Sequence, residues 1–163
     1  LRTVGSMAGG LVLVLDMGKA VLAVVIARWW FDSAGFEVAA ALAVLFGHNW
    51  PVFIGFKGGR GTASGWGGLL ILSPTSGLVA LFVGVPLIAI TRYVSLGSIA
   101  ASTVGALVLI VLAATGQAPT VYAWFGAIGG VVVVASHRDN IQRLIRGTER
   151  KLGQKIELAA DGN

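Results

Sequence analysis

Apolar residues gather along this chain in long unbroken runs, not at alternating or strictly helical spacing. The runs cover roughly 7–27, 37–54, 62–73, 76–91, 97–115 and 119–136. A helix that crosses a bilayer needs about 20 mostly apolar residues. Each run therefore predicts a membrane span, the third of them short and made of small residues. Val131 to Val134 would suit a strand in water. Inside a long apolar run, however, helix is the only open-ended structure that satisfies the backbone in lipid. Ser73-Pro74-Thr75 and Gly116-Gln117-Ala118-Pro119 supply turn residues between runs. The expected fold is an all-α, polytopic transmembrane bundle over 1–136.

The pattern changes at His137. From there to Asn163 the chain carries six basic and four acidic residues, with Ile141, Leu144 and Ile145 at helical spacing. This predicts a short amphipathic helix on the membrane surface, capped by Asp139 and ended by Gly147. Residues 137–163 read as a C-terminal segment of the same domain.

Composition agrees. Of 163 residues, 56% are hydrophobic and 12% charged, against about 25% charged in a soluble domain. Mean hydropathy is +0.85. There are 24 glycines, without a Gly-X-Y period. The lack of Cys excludes disulfides, zinc thiolates and a Cys nucleophile within the sequence. The two histidines, His48 and His137, stand far apart and lack partners at metal-ligand spacing. No metal or cofactor is expected. The chain opens on Leu1 without a recognisable signal peptide, and it reads as a fragment whose natural start lies upstream.

Charge assigns the two sides. If the spans alternate, one side receives Arg2, Lys57, Arg60, Arg92, Arg138, Arg143, Arg146, Arg150, Lys151 and Lys155. The other side receives only Arg28, beside Trp29 and Trp30. Ten against one predicts that the first side is cytoplasmic, with the C-terminus inside. The basic balance then serves topology, anionic headgroups and anionic substrates; nucleic acid is not an expected partner.

The same side carries the candidate chemistry. In Gly55-Phe56-Lys57-Gly58-Gly59-Arg60-Gly61-Thr62-Ala63-Ser64-Gly65, five of eleven residues are glycine. Such a stretch can expose consecutive N–H groups as an anion-binding hollow ahead of a helix N-terminus. Lys57 and Arg60 add charge; Thr62 and Ser64 add hydroxyls. The spacing is not that of a Walker A loop. The same glycines equally suit close helix packing, as Gly61 and Gly65 would. His48 just precedes this loop and reads either as a helix-end hydrogen-bonding group or as a ligand. Arg92, Ser95 and Ser98 combine a cation with two hydroxyls, which suits a phosphate or an interfacial anchor. His137 and Asn140 sit three apart, on one helix face, where the His could carry a proton. Asp16 and Lys19 lie inside the first run and are expected to pair.

Together these motifs resemble the bacterial membrane glycerol-3-phosphate acyltransferases that use acyl phosphate, the PlsY family. The resemblance is carried by Leu1-Arg2-Thr3-x-Gly5 with Asp16-x-x-Lys19, and by Gly47-His48-x-x-Pro51-x-Phe53-x-x-Phe56-Lys57-Gly58-Gly59-Arg60-Gly61-x-Ala63. Arg92-Tyr93-Val94-Ser95-Leu96-x-Ser98-Ile99 and His137-x-x-Asn140-Ile141-x-Arg143-Leu144-x-x-Gly147-Thr148-Glu149 complete it. It implies a seven-span fold whose first span precedes Leu1. It implies acyl transfer from acyl phosphate to the 1-hydroxyl of glycerol-3-phosphate in the bacterial inner membrane. Acyl phosphate, glycerol-3-phosphate, membrane lipids and an enzyme that forms acyl phosphate are the implied partners. Arg2 matches the functional Arg of the first motif. Lys57, Gly58, Gly59, Arg60 and Gly61 match the phosphate loop. His137 and Asn140 match functional residues, and Glu149 one that holds the site together. Arg60 stands where the family usually has Lys, and Ser64 where it usually has Thr. A small transporter of a phosphorylated metabolite is the alternative reading, although no internal repeat supports it.

Overall fold

The computed structural model describes residues 5–154. It is built from α1 (Gly5–Phe31), α2 (Ala34–Asn49), α3 (Thr62–Leu72), α4 (Pro74–Thr91), α5 (Val94–Ala114), α6 (Tyr122–Ser136) and α7 (Arg138–Ile145). There is no strand among the described residues. Of the six expected spans, α1, α4 and α5 are long and apolar enough to cross a membrane unaided; α2, α3 and α6 are shorter.

The boundaries differ from the apolar runs for local reasons. The second run continues to 54, but α2 ends at Asn49 and Val52–Ile54 forms a separate 3-10 turn. Pro51 lacks an N–H and pushes Trp50 out of helical conformation (φ −129°). α5 starts at Val94, which draws Ser95 and Ser98 into its first two turns. α6 contains a π turn over Phe125–Gly129. Only His137 separates α6 from α7, so Asp139 falls inside the first turn of α7 and is not its cap. Gly147, at φ +68°, ends the segment as expected.

Large apolar side chains are abundant on the outside: Phe82 is 72% exposed and Ile90 81%. Inside, small residues such as Ala20, Ala41, Ala80 and Ser76 pack among Leu45, Leu109 and Phe125. Where α4 meets α5, a Cβ on Gly97 would stand 2.7 Å from the carbonyl oxygen of Gly84. Only glycine permits this approach, and dispersion across such contacts holds helices together in lipid.

At one end of the bundle, Arg28 donates to Glu37 from Nε (3.1 Å) and Nη2 (2.7 Å). The Tyr122 hydroxyl donates to the same carboxylate at 2.6 Å. This clamp, with Glu37 and Tyr122 buried and Arg28 half-exposed, joins α1, α2 and α6. Among the described residues Arg28 is the one Lys or Arg of this clamp, with Trp29 and Trp30 exposed beside it.

The opposite end carries the motif residues. At 1.5 Å per residue, α2, α3 and α6 measure about 24, 16 and 22 Å, whereas α1, α4 and α5 measure about 40, 27 and 31 Å. The glycine-rich loop joins α2 to α3 at this end.

Candidate active site

The Gly-rich loop is shaped by the end of α2. Gly58 N–H donates to the Asn49 carbonyl (3.2 Å), and Gly59 N–H donates to the His48 carbonyl (3.1 Å). These bonds satisfy carbonyls that a helix C-terminus leaves open. The expectation that Gly58 and Gly59 present free N–H groups to an anion is therefore corrected: both donors are already spent. Their missing side chains serve closeness instead. A Cβ on Gly58 would overlap the His48 carbonyl oxygen, and one on Gly59 the His48 ring. Gly61 adopts φ +75° at the start of α3, a conformation natural to glycine. The N–H groups that remain for an anion belong to the loop's last residues and the first turn of α3.

Beneath the loop lies a charged cluster. Lys19 Nζ donates to Asp16 Oδ1 at 2.7 Å and to His48 Nδ1 at 2.8 Å. Asp16 Oδ1 is also 3.3 Å from His48 Nδ1. The expected Asp16–Lys19 pair thus has a third member. An ammonium can only donate, so Nδ1 accepts and neutral His48 carries its proton on Nε2, the atom beneath Gly59. His48 is placed to support the loop from below.

Arg60, Thr62, Ser98, Ser102 and His137 are the main polar residues lining a cleft of about 400 Å³. The rest of its wall is apolar, formed by α3, α4 and α5 with Leu13 of α1. Trp66, Leu81, Val85 and Ile88 are typical of that lining. His137 is buried, and its Nδ1 lies 2.8 Å from the Val133 carbonyl. A carbonyl only accepts, so Nδ1 donates, and the neutral ring keeps its lone pair on Nε2. Burial pushes the His137 pKa below its ordinary 6.5, and the nearby Arg60 charge pushes the same way.

Behind His137, the Glu149 carboxylate gathers three donors. Ser95 Oγ (2.9 Å) and Asn140 Nδ2 (2.8 Å) reach one oxygen, and Arg143 Nε (2.7 Å) reaches the other. Burial alone would raise the Glu149 pKa, but these hydrogen bonds and the Arg143 charge outweigh it and hold the group below its ordinary value. The network ties α5, α7 and the following segment together.

The remaining residues lie apart. Arg92 turns from the cleft and donates to the Leu152 carbonyl through Nη2 (2.7 Å) and Nε (3.2 Å). Lys57 is exposed and does not line the cleft. Arg2 lies outside the described residues. Sequence reasoning passed over Arg143 and Asn49. Arg143 follows Asn140 on α7 at helical spacing, which could have flagged it. Asn49 donates to Ser136 Oγ at 2.9 Å, a contact that no local spacing reveals.

The arrangement has close counterparts. The family model described as glycerol-3-phosphate acyltransferase matches residues 1–147. A glycerol-3-phosphate acyltransferase of Thermoanaerobacter sp. (strain X514) is 42% identical over 158 residues, covering 97% of this chain and 77% of that protein. Its counterpart from Halalkalibacterium halodurans is 42% identical over 159 residues, covering 96% and 77%. The crystal structure of PlsY, an integral membrane glycerol 3-phosphate acyltransferase, in its glycerol 3-phosphate form superimposes with TM-score 0.84. The identity is 33%, over 93% of this chain and 74% of that one. The lysophosphatidic acid form gives 0.83 over 93% and 76%. The exposed apolar faces, the loop folded on α2 and the apolar-walled cleft accompany a match along most of the chain, and this chain belongs to the glycerol-3-phosphate acyltransferase family.

Proposed function

We propose that the protein transfers a fatty acyl group from acyl phosphate to the 1-hydroxyl of glycerol-3-phosphate, yielding lysophosphatidic acid and inorganic phosphate. One observation carries this reading: a largely apolar cleft about 400 Å³ in volume is also lined by Arg60, Ser98 and His137. Its apolar walls suit an acyl chain, and its polar residues suit a phosphate. Acyl phosphate is already activated, so no covalent enzyme intermediate is required. The acceptor hydroxyl oxygen bonds to the acyl carbon, and the bond from that carbon to the phosphate oxygen breaks. The hydroxyl proton passes to His137 Nε2 and then to the departing phosphate.

Two phosphate groups must come close for this reaction. Arg60 offsets their repulsion, and the family resemblance adds Lys57 and Arg2 to that role. Ser98 donates to a substrate oxygen, while Asn140 and Glu149 hold the ground on which His137 stands. Gly58, Gly59, Gly61 and His48 shape the loop; Asp16 and Lys19 fix His48. Ser95 and Arg92 act from the same end through their contacts with the C-terminal segment. The ten-to-one split of cations supports a cytoplasmic active site and C-terminus in the bacterial inner membrane.

The test is phosphate release by the natural full-length protein reconstituted in lipid vesicles. Turnover is expected with palmitoyl phosphate plus glycerol-3-phosphate, and not with an acyl thioester. Thioester-dependent acylation without phosphate release would replace the proposed donor.

A further inference from the structure

We propose that Asn49 is a positioning residue that sets the Gly-rich loop against the His137 side of the cleft. The inference rests on the reading of that cleft as the acceptor site. Asn49 closes α2 and is only 5% exposed. Its backbone carbonyl accepts from Gly58, so it holds the loop at its middle. Its side chain packs under Gly61 without a hydrogen bond, filling the space a side chain there would need. Oδ1 lies 2.6 Å, and Nδ2 3.2 Å, from where a Gly61 Cβ would stand. Nδ2 also donates to Ser136 Oγ at 2.9 Å.

Ser136 fixes the direction of that bond. Its hydroxyl donates to the Val132 carbonyl at 2.7 Å, so its proton is spent. Only lone pairs face Asn49, which must therefore present a donor. That assigns the amide nitrogen to Ser136 and Oδ1 to the Gly61 side. Oδ1 is buried and has no partner among the described residues. Ser136 immediately precedes His137. One amide thus spans the residue after Arg60 and the residue before His137, the two cleft groups that stand on different elements. Without the side chain, the backbone bonds of Gly58 and Gly59 remain, but the packing under Gly61 and the bond that ties the end of α2 to α6 are lost together.

The test compares Asn49→Ala, Ser136→Ala and the double variant in the natural full-length protein. Asn49→Ala is expected to raise KM for glycerol-3-phosphate on the order of tenfold while the donor's KM changes little. Trypsin cleavage after Lys57 and Arg60 in detergent should accelerate, because the loop opens more often. The double variant should cost little more than Asn49→Ala alone, since both remove one link. Equal losses for both substrates that track the thermal midpoint, with unchanged loop cleavage, would overturn the proposal. So would strictly additive effects. If the unmodified protein shows no glycerol-3-phosphate-dependent turnover, the functional reading fails, while the cleavage rates still decide the role of Asn49.

Discussion

Arg92 and Leu152 hold each other through both backbone and side chain. The Leu152 N–H donates to the Arg92 carbonyl at 2.7 Å, and the Arg92 guanidinium returns two bonds to the Leu152 carbonyl. Arg92 adopts a left-handed φ of 62° at the end of α4, which turns its backbone toward the C-terminal segment. The guanidinium, which by sequence suits a phosphate or an interfacial anchor, is here engaged by the Leu152 carbonyl. Arg92→Ala should accelerate trypsin cleavage after Arg150 and Lys151. It should raise KM for glycerol-3-phosphate by only about twofold, the scale of an exposed contact. A loss as large as that of Arg60→Ala would return Arg92 to the substrate site.

Glu149 should give the protein an acid-sensitive joint. Its folded pKa is below the ordinary 4.5, so its contribution to stability is complete above that value. The contribution fades as pH falls through the folded pKa. Glu149→Gln removes the charge that three donors share and should cost about 1–3 kcal/mol at neutral pH. Thermal unfolding in detergent between pH 7 and pH 3 should show a shallower acid decline in this variant than in the parent.

His137 should act as a neutral base across the physiological range. Its folded pKa lies below 6.5, so protonation removes the Nε2 lone pair only at lower pH. The acid limb of kcat/KM should therefore fall below pH 6.5. Arg60→Gln removes a repelling charge and should move that limb upward, toward 6.5. His137→Ala should abolish the limb and lower kcat on the order of 10²-fold. Full turnover in His137→Ala would hand the proton to the donor phosphate.

Gly59 and His48 should be coupled. A Cβ on Gly59 meets the His48 ring, and Lys19 holds that ring from the other side. Gly59→Ala must therefore displace the loop, and activity should drop by roughly tenfold or more. Adding His48→Ala vacates the space. The double variant should consequently lose less than the two single losses combined. Additive losses would mean that Gly59 does not rest on His48.

The spans were legible because lipid demands unbroken apolar helix, a demand written locally in the residues. The ends of α2 and α5 were less so, since Pro51 and the turn at Arg92 override the apolar pattern. Motif order placed His137, Arg60 and Ser98 in one site before any geometry was available. What the glycines do was not legible. Gly58 and Gly59 satisfy α2 through tertiary contacts, and nothing in their spacing separates that from an anion hollow. The Asn49–Ser136 bond joins residues 87 apart. No local pattern encodes a partner so distant.

The π turn in α6 has a consequence for how the chain can change. α6 meets α2 twice, through Tyr122 with Glu37 and through Ser136 with Asn49. Between those fastenings α6 is two residues longer than α2. The wide turn at Phe125–Gly129 takes up surplus length that a regular helix would carry as a rotation. Deleting one residue within the π turn would restore an ordinary helix with Tyr122 and Ser136 near their present faces, whereas deleting one from the regular turns after it would swing everything beyond by about 100° and turn Ser136 away from Asn49. The π turn is thus the one place in α6 where a residue can be lost without unfastening the helix from α2, although its side chains are tightly held: Phe125 is buried, and a Cβ on Gly126 would stand 2.8 Å from the Ala106 carbonyl oxygen.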